Sequence, residues 1–349
     1  MTEGNKGRLL KLLQKYKELG ILEQIDYEKF YLYSIITHST AIEGSTVTEV
    51  EAQLLFDEGI TAKGKPMIEQ LMNLDLKNAY DYGRIWITRH EDITVRSLIA
   101  LSAKVMARTG SDYNSLGGSF DASKGELRKL NVTAGAGGHS YMNWMKVPMK
   151  LEAFCKELNA RRHLLDPTDI AAVYDLSFWA HYELVTIHPW ADGNGRTCRL
   201  LMNLLQMEYD VLPTKVLKED KAKYIQALID TREKEDINIF LDCMSELHLN
   251  HLQKDIDQFI ISIDTEMVDK QYIKKEMVDR WSIMPSLAGK LADIMASMAD
   301  KDKIRTRDIV AEMDLTETTA KRYLRQLVKF GYLEVHGGNR NRYYTMKNR

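Results

Sequence analysis

The run His188-Pro189-Trp190-Ala191-Asp192-Gly193-Asn194-Gly195-Arg196-Thr197-Cys198-Arg199 limits what this chain can fold into more than any other stretch. It stands between two apolar runs of helical period, residues 167–186 and 196–209, so it reads as the loop that ends one helix and opens the next. Glycine on both sides of Asn194, directly before a helix, presents free backbone N–H groups at the positive end of the helix dipole. Glycine also lets an anion approach with no Cβ in the way. Arg196 and Arg199, spaced i and i+3, project from the first turn beside that anion, and guanidinium offers phosphate a planar, permanently charged fork. Asp192 sits at the mouth, where one carboxylate plus phosphate oxygens is a normal way to hold Mg²⁺. His188 titrates near neutral pH and suits a general base. Taken singly, these residues read as a turn, surface charges and a helix-end cation. Eight specified residues at roughly 5% background frequency co-occur by chance below about 10⁻⁹ per start position, so the set reads as one site.

Helical period also dominates elsewhere, at 27–43, 68–86, 94–109, 147–161, 218–231 and 236–267. Gly44 is a natural stop, and Thr48-Glu49-Val50-Glu51 is a capping box that opens the next helix. Between 125 and 147 the pattern changes to two short extended pieces around the glycines of 135–138, a predicted hairpin. A length of 349 residues implies two or three domains. The three cysteines lie far apart, which excludes a disulfide framework or a cysteine zinc site and suits a reducing compartment. No run approaches 18 apolar residues, and lysines break the apolar period of the first 20, so neither a membrane span nor a signal peptide is expected. The expected location is the cytoplasm. A net charge of −2 argues against a uniformly basic protein that coats nucleic acid.

The end of the chain differs in character. Residues 286–349 hold 13 Lys and Arg against 8 Asp and Glu, a local charge of +5 that leaves −7 on the rest. Helices are predicted at 287–298, 306–313 and 317–330, the last N-capped by Thr316 and ended by Gly331, before two strands around Gly337-Gly338. This order resembles the winged helix-turn-helix family. Ala320, Tyr323, Leu324, Leu327 and Val328 would face the core. Thr319, Lys321, Arg322, Arg325 and Lys329 would stay outside, with Lys321, Arg322 and Arg325 the expected contacts to duplex DNA. A protein-interaction or dimerisation module is the alternative left open for this segment.

The 188–199 segment resembles the signature of the Fic family, HPFx[D/E]GNGRxxR, with Trp190 in place of phenylalanine. The resemblance extends over most of residues 30–260. It implies a mainly α-helical fold, a Fic-type helical core with a β-hairpin flap, here completed by the C-terminal winged helix-turn-helix segment. The domains expected are 1–93, 94–280 and 286–349. The implied activity is protein adenylyltransfer, the movement of AMP from ATP to a Ser, Thr or Tyr hydroxyl of a protein, including self-modification. His188 would deprotonate that hydroxyl, and Asp192 would hold Mg²⁺ on the ATP phosphates. The Gly193, Asn194 and Gly195 stretch would cradle the α- and β-phosphates, with Arg196 and Arg199 on the outer ones. The intact G-N-G-R differs from Doc-like relatives, where lysine replaces the second glycine and the γ-phosphate moves instead. The hairpin at 125–147 takes the place of the flap that docks an extended piece of the target. Its tip, with Gly137 and Gly138, would approach the nucleotide, and Tyr224 matches a position that lines the adenine pocket.

Upstream, Ser39-Thr40-Ala41-Ile42-Glu43-Gly44 is similar to the family's inhibitory helix pattern, [S/T]xxxE[G/N]. Glu43 would then take the Arg199 fork that the γ-phosphate needs, and so act as a brake. Three other functions stay open: removal of AMP by water that Glu43 activates, transfer of another nucleotide or phosphocholine, and a DNA-binding regulator that senses nucleotide without turnover. A homodimer is also left open.

Overall fold

The computed structural model describes all residues except Ile25, 135–137, 299–300, 339–340 and 348–349, and the side chains of 263–269 and 271 are likewise outside the description. Two compact units emerge, Met1–Ile256 and Asp257–Arg349.

The first unit is helical with one small sheet. It begins with α1 (Glu3–Glu18), α2 (Tyr27–Ile42), α3 (Glu49–Asp57), α4 (Met67–Ile87) and α5 (Val95–Val105). Strands β1 (Asp112–Ser115) and β2 (Gly118–Asp121) follow, then α6 (Val147–Leu164), α7 (Ile170–Ile187), α8 (Asn194–Glu208) and α9 (Lys221–Lys234). Helix α10 (Ile237–Trp281) runs across the division between the units. Among these, α8 packs along α7 and crosses α4 and α5, so it is surrounded. Its sequence accounts for this, because RLLMNLLQM is apolar on every side and residues Arg196–Gln206 are all buried. Leu76, Ala79 and Tyr80 of α4, Leu98 and Leu101 of α5 and Leu184 of α7 close around Leu200, Leu201, Leu204 and Leu205. Gly83 of α4 lets α8 come near, since a Cβ there would lie 2.5 Å from Leu204 Cδ1. Local chemistry sets the ends of the elements. Thr48 and Glu51 exchange both bonds of a capping box at α3, and Gly44 follows α2 at φ +108.

The sheet differs from the sequence reading. The paired strands are β1 and β2, with Asp112 opposite Asp121 and a Tyr113–Phe120 stack of 5.0 Å between ring centroids. Within 125–147 the described residues form a single bridge, Thr133 to Ser140, flanked by the bonds Ala134 N–H to His139 O and Tyr141 N–H to Val132 O. The carbonyls of Leu130 and Met142, just beyond this bridge, accept from the Arg128 guanidinium, at 2.8 and 2.7 Å.

The second unit holds the end of α10, then α11 (Pro285–Ser297), α12 (Thr306–Glu312), α13 (Glu317–Lys329) and an antiparallel pair, β3 (Leu333–His336) and β4 (Tyr343–Met346). Ala288, Leu291, Ile294, Ala320, Tyr323, Leu324 and Leu327 form its core with Leu333 and Tyr344. Ile304, before α12, exchanges two backbone bonds with Tyr344 and ties the hairpin to the helices. Lys321, Arg322, Arg325 and Lys329 are exposed on the outer face of α13. Among the described residues no helix is long and apolar enough to cross a membrane.

Candidate active site

Helix α7 ends at His188, which turns into the left-handed region at φ 51, ψ 63 while its N–H still reaches Leu184 O at 3.1 Å. That conformation costs a non-glycine residue about 1 kcal/mol, so the surroundings must hold it. Several bonds do. Trp190 is fully buried and its indole N–H donates to Gly125 O at 2.9 Å, which explains why a large aromatic ring stands there. The Asn194 amide closes the loop on the Trp190 backbone, accepting from its N–H at 3.1 Å and donating to its C=O at 2.9 Å. Gly193 turns the chain into α8 at φ +78, where a Cβ would also lie 2.5 Å from Met106 Sδ.

The start of α8 has no side-chain cap. The amides of Asn194, Gly195 and Arg196 therefore face outward without intrahelical acceptors, at the positive end of the dipole. Arg196 is 2% exposed, and its Nη2 lies 3.1 Å from Met106 Sδ and 3.7 Å from Asp192 Oδ1. Its Nε and Nη1 are buried with no partner. A buried guanidinium with orphaned donors is costly unless an anion completes it. Asp192 accepts the Gly193 N–H on Oδ1 at 2.6 Å, and its side chain is 59% exposed. Arg199 is buried too, but its Nε and Nη2 are engaged. Its Nε donates to Ser39 Oγ at 2.9 Å, and its Nη2 donates to Ser39 O at 2.9 Å and Glu43 Oε1 at 2.6 Å. Burial and the Arg199 charge pull the Glu43 carboxyl in opposite directions, and the guanidinium wins, leaving its pKa below the usual value. A Cβ at 195 would stand 2.4 Å from Glu43 Oε1 and 2.9 Å from Arg199 Nη1, so a larger residue there would displace the ends of both side chains.

His188 Nδ1 lies 3.3 Å from Val185 O. A carbonyl only accepts, so Nδ1 carries the proton and Nε2 keeps its lone pair. Burial lowers the His188 pKa to about 4, helped by the Arg128 charge and opposed by the Val185 bond. The imidazole is thus neutral at pH 7 and able to accept a proton.

Residues 92–206 match the model of the Fic/DOC family. The chain is distantly related to the proteins named protein adenylyltransferase Fic. It is 30% identical to that of Drosophila melanogaster over 210 residues, 60% of this chain and 39% of that protein. With the Drosophila erecta protein the figures are 31% over 194 residues, 55% and 36%. The chain thus spans about two fifths of the length of these relatives. Two crystal structures share the fold. A Fic-domain signalling protein from Bacteroides thetaiotaomicron superposes with a TM-score of 0.59 at 21% identity, over 72% of this chain and 96% of that one. A Fic family protein from Desulfovibrio desulfuricans superposes at 0.58 and 16% identity, over 100% and 97%.

Several residues of this site stand where sequence reasoning did not place them. Asn194 uses its amide on the loop itself, which leaves only its backbone N–H for an anion. Tyr224 is 1% exposed, with its hydroxyl 3.0 Å from His181 Nε2 and the Arg199 guanidinium 6.0 Å from its ring. It supports Arg199 from within the core and offers no open face. Gly138 is exposed, a Cβ on it would lie 1.9 Å from Ala134 O, and Gly137 lies outside the described residues. Three residues near the site had no sequence signal. Tyr141 stacks on the His188 ring at 3.7 Å and 18°. Met106 braces Gly193 and Arg196, and Arg128 binds the His188 carbonyl at 2.7 Å. Next to them lies a cavity of about 370 Å³, lined by Tyr141, Met142, Tyr182, Thr186, Leu228 and Arg232 among others.

Proposed function

We propose that this chain is a protein adenylyltransferase whose own Glu43 restrains it. The observation that carries the reading is Arg196, a buried guanidinium with Nε and Nη1 unpartnered, beside three free helix amides and a neutral histidine. Those donors suit phosphate oxygens, and Gly195 keeps the approach free of a Cβ. The cavity bounded by Tyr141 and Val185, both in contact with His188, has the size and largely apolar walls that a nucleoside requires.

ATP is the substrate this chemistry fits, with Mg²⁺ on its phosphates. Asp192 keeps Oδ2 for the metal, so one carboxylate together with phosphate oxygens would hold the cation, which when bound would neutralise phosphate charge. The target hydroxyl gives its proton to His188 Nε2, and its oxygen forms a bond to the α-phosphorus as the bond to pyrophosphate breaks. The α8 amides and Arg196 hold the charge that develops.

Glu43 opposes this by holding Arg199 at 2.6 Å, supported by Ser39. With that fork taken, a γ-phosphate settles elsewhere and the α-phosphorus loses its line to the hydroxyl. The test is labelled ATP with a cell lysate, wild type beside Glu43→Gly. Labelled protein that increases in the variant is expected, whereas no labelled protein from either form ends the reading.

A second reading concerns the Asp257–Arg349 unit. We propose that it binds duplex DNA in the manner of a winged helix-turn-helix. Lys321, Arg322, Arg325 and Lys329 line one shallow groove on the outer face of α13, which supports this reading.

A further inference from the structure

Arg128 is the most unusual buried residue outside the loop signature. It is 1% exposed, and no carboxylate is paired with it among the described residues. All its recorded partners are backbone carbonyls. Nε donates to His188 O at 2.7 Å, Nη1 to Leu130 O at 2.8 Å and Nη2 to Met142 O at 2.7 Å. Its own backbone N–H donates to Pro189 O at 3.0 Å. Burial lowers its pKa, yet arginine stays charged in proteins, so the site contains a fixed cation neutralised only by carbonyl dipoles.

The placement of those carbonyls matters. One belongs to His188, the residue held in the left-handed region at the end of α7. The other two lie on the two arms of a ribbon, residues 130–134 and 138–142, which the Thr133–Ser140 bridge joins and from which Tyr141 stacks on the His188 ring. One planar fork therefore sets the distance from the histidine to both arms. Only arginine has donors pointing three ways in one plane, and lysine would satisfy one carbonyl and part of another.

We infer that Arg128 is a positioning residue: it locks the His188 backbone and the two arms 130–134 and 138–142 into one body, so that an acceptor lying along this ribbon meets His188 Nε2 in register. This rests on the adenylyltransferase reading above, with the ribbon as the surface that receives the acceptor. Its charge has a second consequence, because it lies beside His188 and helps to keep the imidazole neutral.

The experiment uses the full chain carrying Glu43→Gly as parent, with Arg128→Lys and Arg128→Met added separately. Rate of AMP transfer, ATP affinity, the pH profile and hydrogen exchange of residues 130–142 are measured on each. Arg128→Lys should lower kcat about 100-fold, the usual scale for a misplacement of about 1 Å, while ATP affinity changes by less than about threefold. The acid limb of its profile should stay in place, since the charge remains. Arg128→Met should lose the rate and also move that limb upward, toward the ordinary histidine value. In both, the amides of Ala134 and Tyr141 should exchange faster. If Arg128→Lys keeps the parental rate and exchange, or if rate and ATP affinity fall together, the proposal is wrong. Should Arg128→Met fail to fold, Arg128→Lys alone decides. A parent that transfers no AMP overturns the reading under the previous heading, while hydrogen exchange still tests whether Arg128 couples the ribbon to His188.

Discussion

Helices α8 and α13 both carry basic side chains, and they treat that charge in opposite ways. In α8, Arg196 and Arg199 are 2% and 3% exposed, one lacking partners for two donors and the other bound by Glu43 and Ser39. In α13, Lys321, Arg322 and Arg325 are exposed, and Lys321 is paired with Glu317 at 2.5 Å. A solvated charge costs little and therefore says little about what it binds. A buried one is costly unless a partner completes it, so its surroundings describe that partner. The α8 site can thus be read from geometry, whereas the α13 face rests on its charge and helix order.

The largest effect expected from breaking the α8 side is His188→Ala. Loss of a general base should lower AMP transfer by about 10²–10⁴-fold. ATP binding, followed by calorimetry, should be nearly unchanged, because Nε2 acts on the acceptor hydroxyl. Near-normal transfer in this variant removes His188 from the mechanism.

Arg196→Met tests the burial argument directly. Loss of charge-assisted bonds worth about 1.5–3 kcal/mol should weaken ATP binding roughly 10–100-fold. Without ATP the same variant should melt higher than wild type, since it replaces an incompletely paired buried charge by an apolar side chain of similar length. Arg325→Met, on the exposed face, should alter neither quantity. A lower melting temperature for Arg196→Met would mean that the guanidinium is satisfied within the protein.

Glu43→Gly comes next, at about tenfold or more in AMP transfer. The variant should also lose stability. About a third of the Glu43 side chain is exposed, at 35%, so solvent screens the pair and roughly 1 kcal/mol is at stake, a Tm lower by about 2–4 °C for a unit of this size. A variant with more activity and a lower Tm matches a latch. Unchanged activity with a lower Tm makes the pair structural only.

The pH profile of the released enzyme gives a smaller contrast. With its pKa lowered to about 4, His188 stays unprotonated through pH 6–8, so the rate should be flat there and fall only as pH drops toward 4. Because the folded value lies below that of the unfolded chain, proton uptake favours unfolding, and His188 takes stability away as pH falls below about 6.5. A rate that halves near pH 6.5 would place an unburied histidine at this step.

How much of this was legible beforehand follows from range along the chain. The 188–199 loop could be read because its residues act within one turn of each other: Gly193 at φ +78, the uncapped start of α8, and Arg196 and Arg199 on its inner face. The Thr48 capping box and the Thr316 cap were equally local. Contacts across the fold were legible only where a family pattern joined them, as with Glu43 and Arg199, 156 residues apart. Arg128 had no such pattern. A buried arginine held by carbonyls looks like any surface arginine in sequence. The β1–β2 pair was missed for a related reason, because four-residue strands joined through Leu116-Gly117 are too short to show a period.

The smallest effect lies on α13, and it tests whether charge and helix order alone are enough. With the full chain and a pool of duplexes, a mobility shift at low salt is expected, weakening as salt rises because bound lysines and arginines release counterions from phosphate. Arg322→Ala or Arg325→Ala should each reduce the salt slope by about 1, the loss of one phosphate contact. Lys321→Ala should reduce it by less. Glu317 lies 2.5 Å from the Lys321 ammonium, so part of that charge is already compensated and the pair must loosen before a phosphate can take its place. A slope indifferent to Arg322 and Arg325 while binding persists would move the contact to another surface. No shift at low salt on any duplex would turn the groove of Lys321, Arg322, Arg325 and Lys329 toward an acidic protein instead, and the contrast between the two helices would then be one of catalysis against docking.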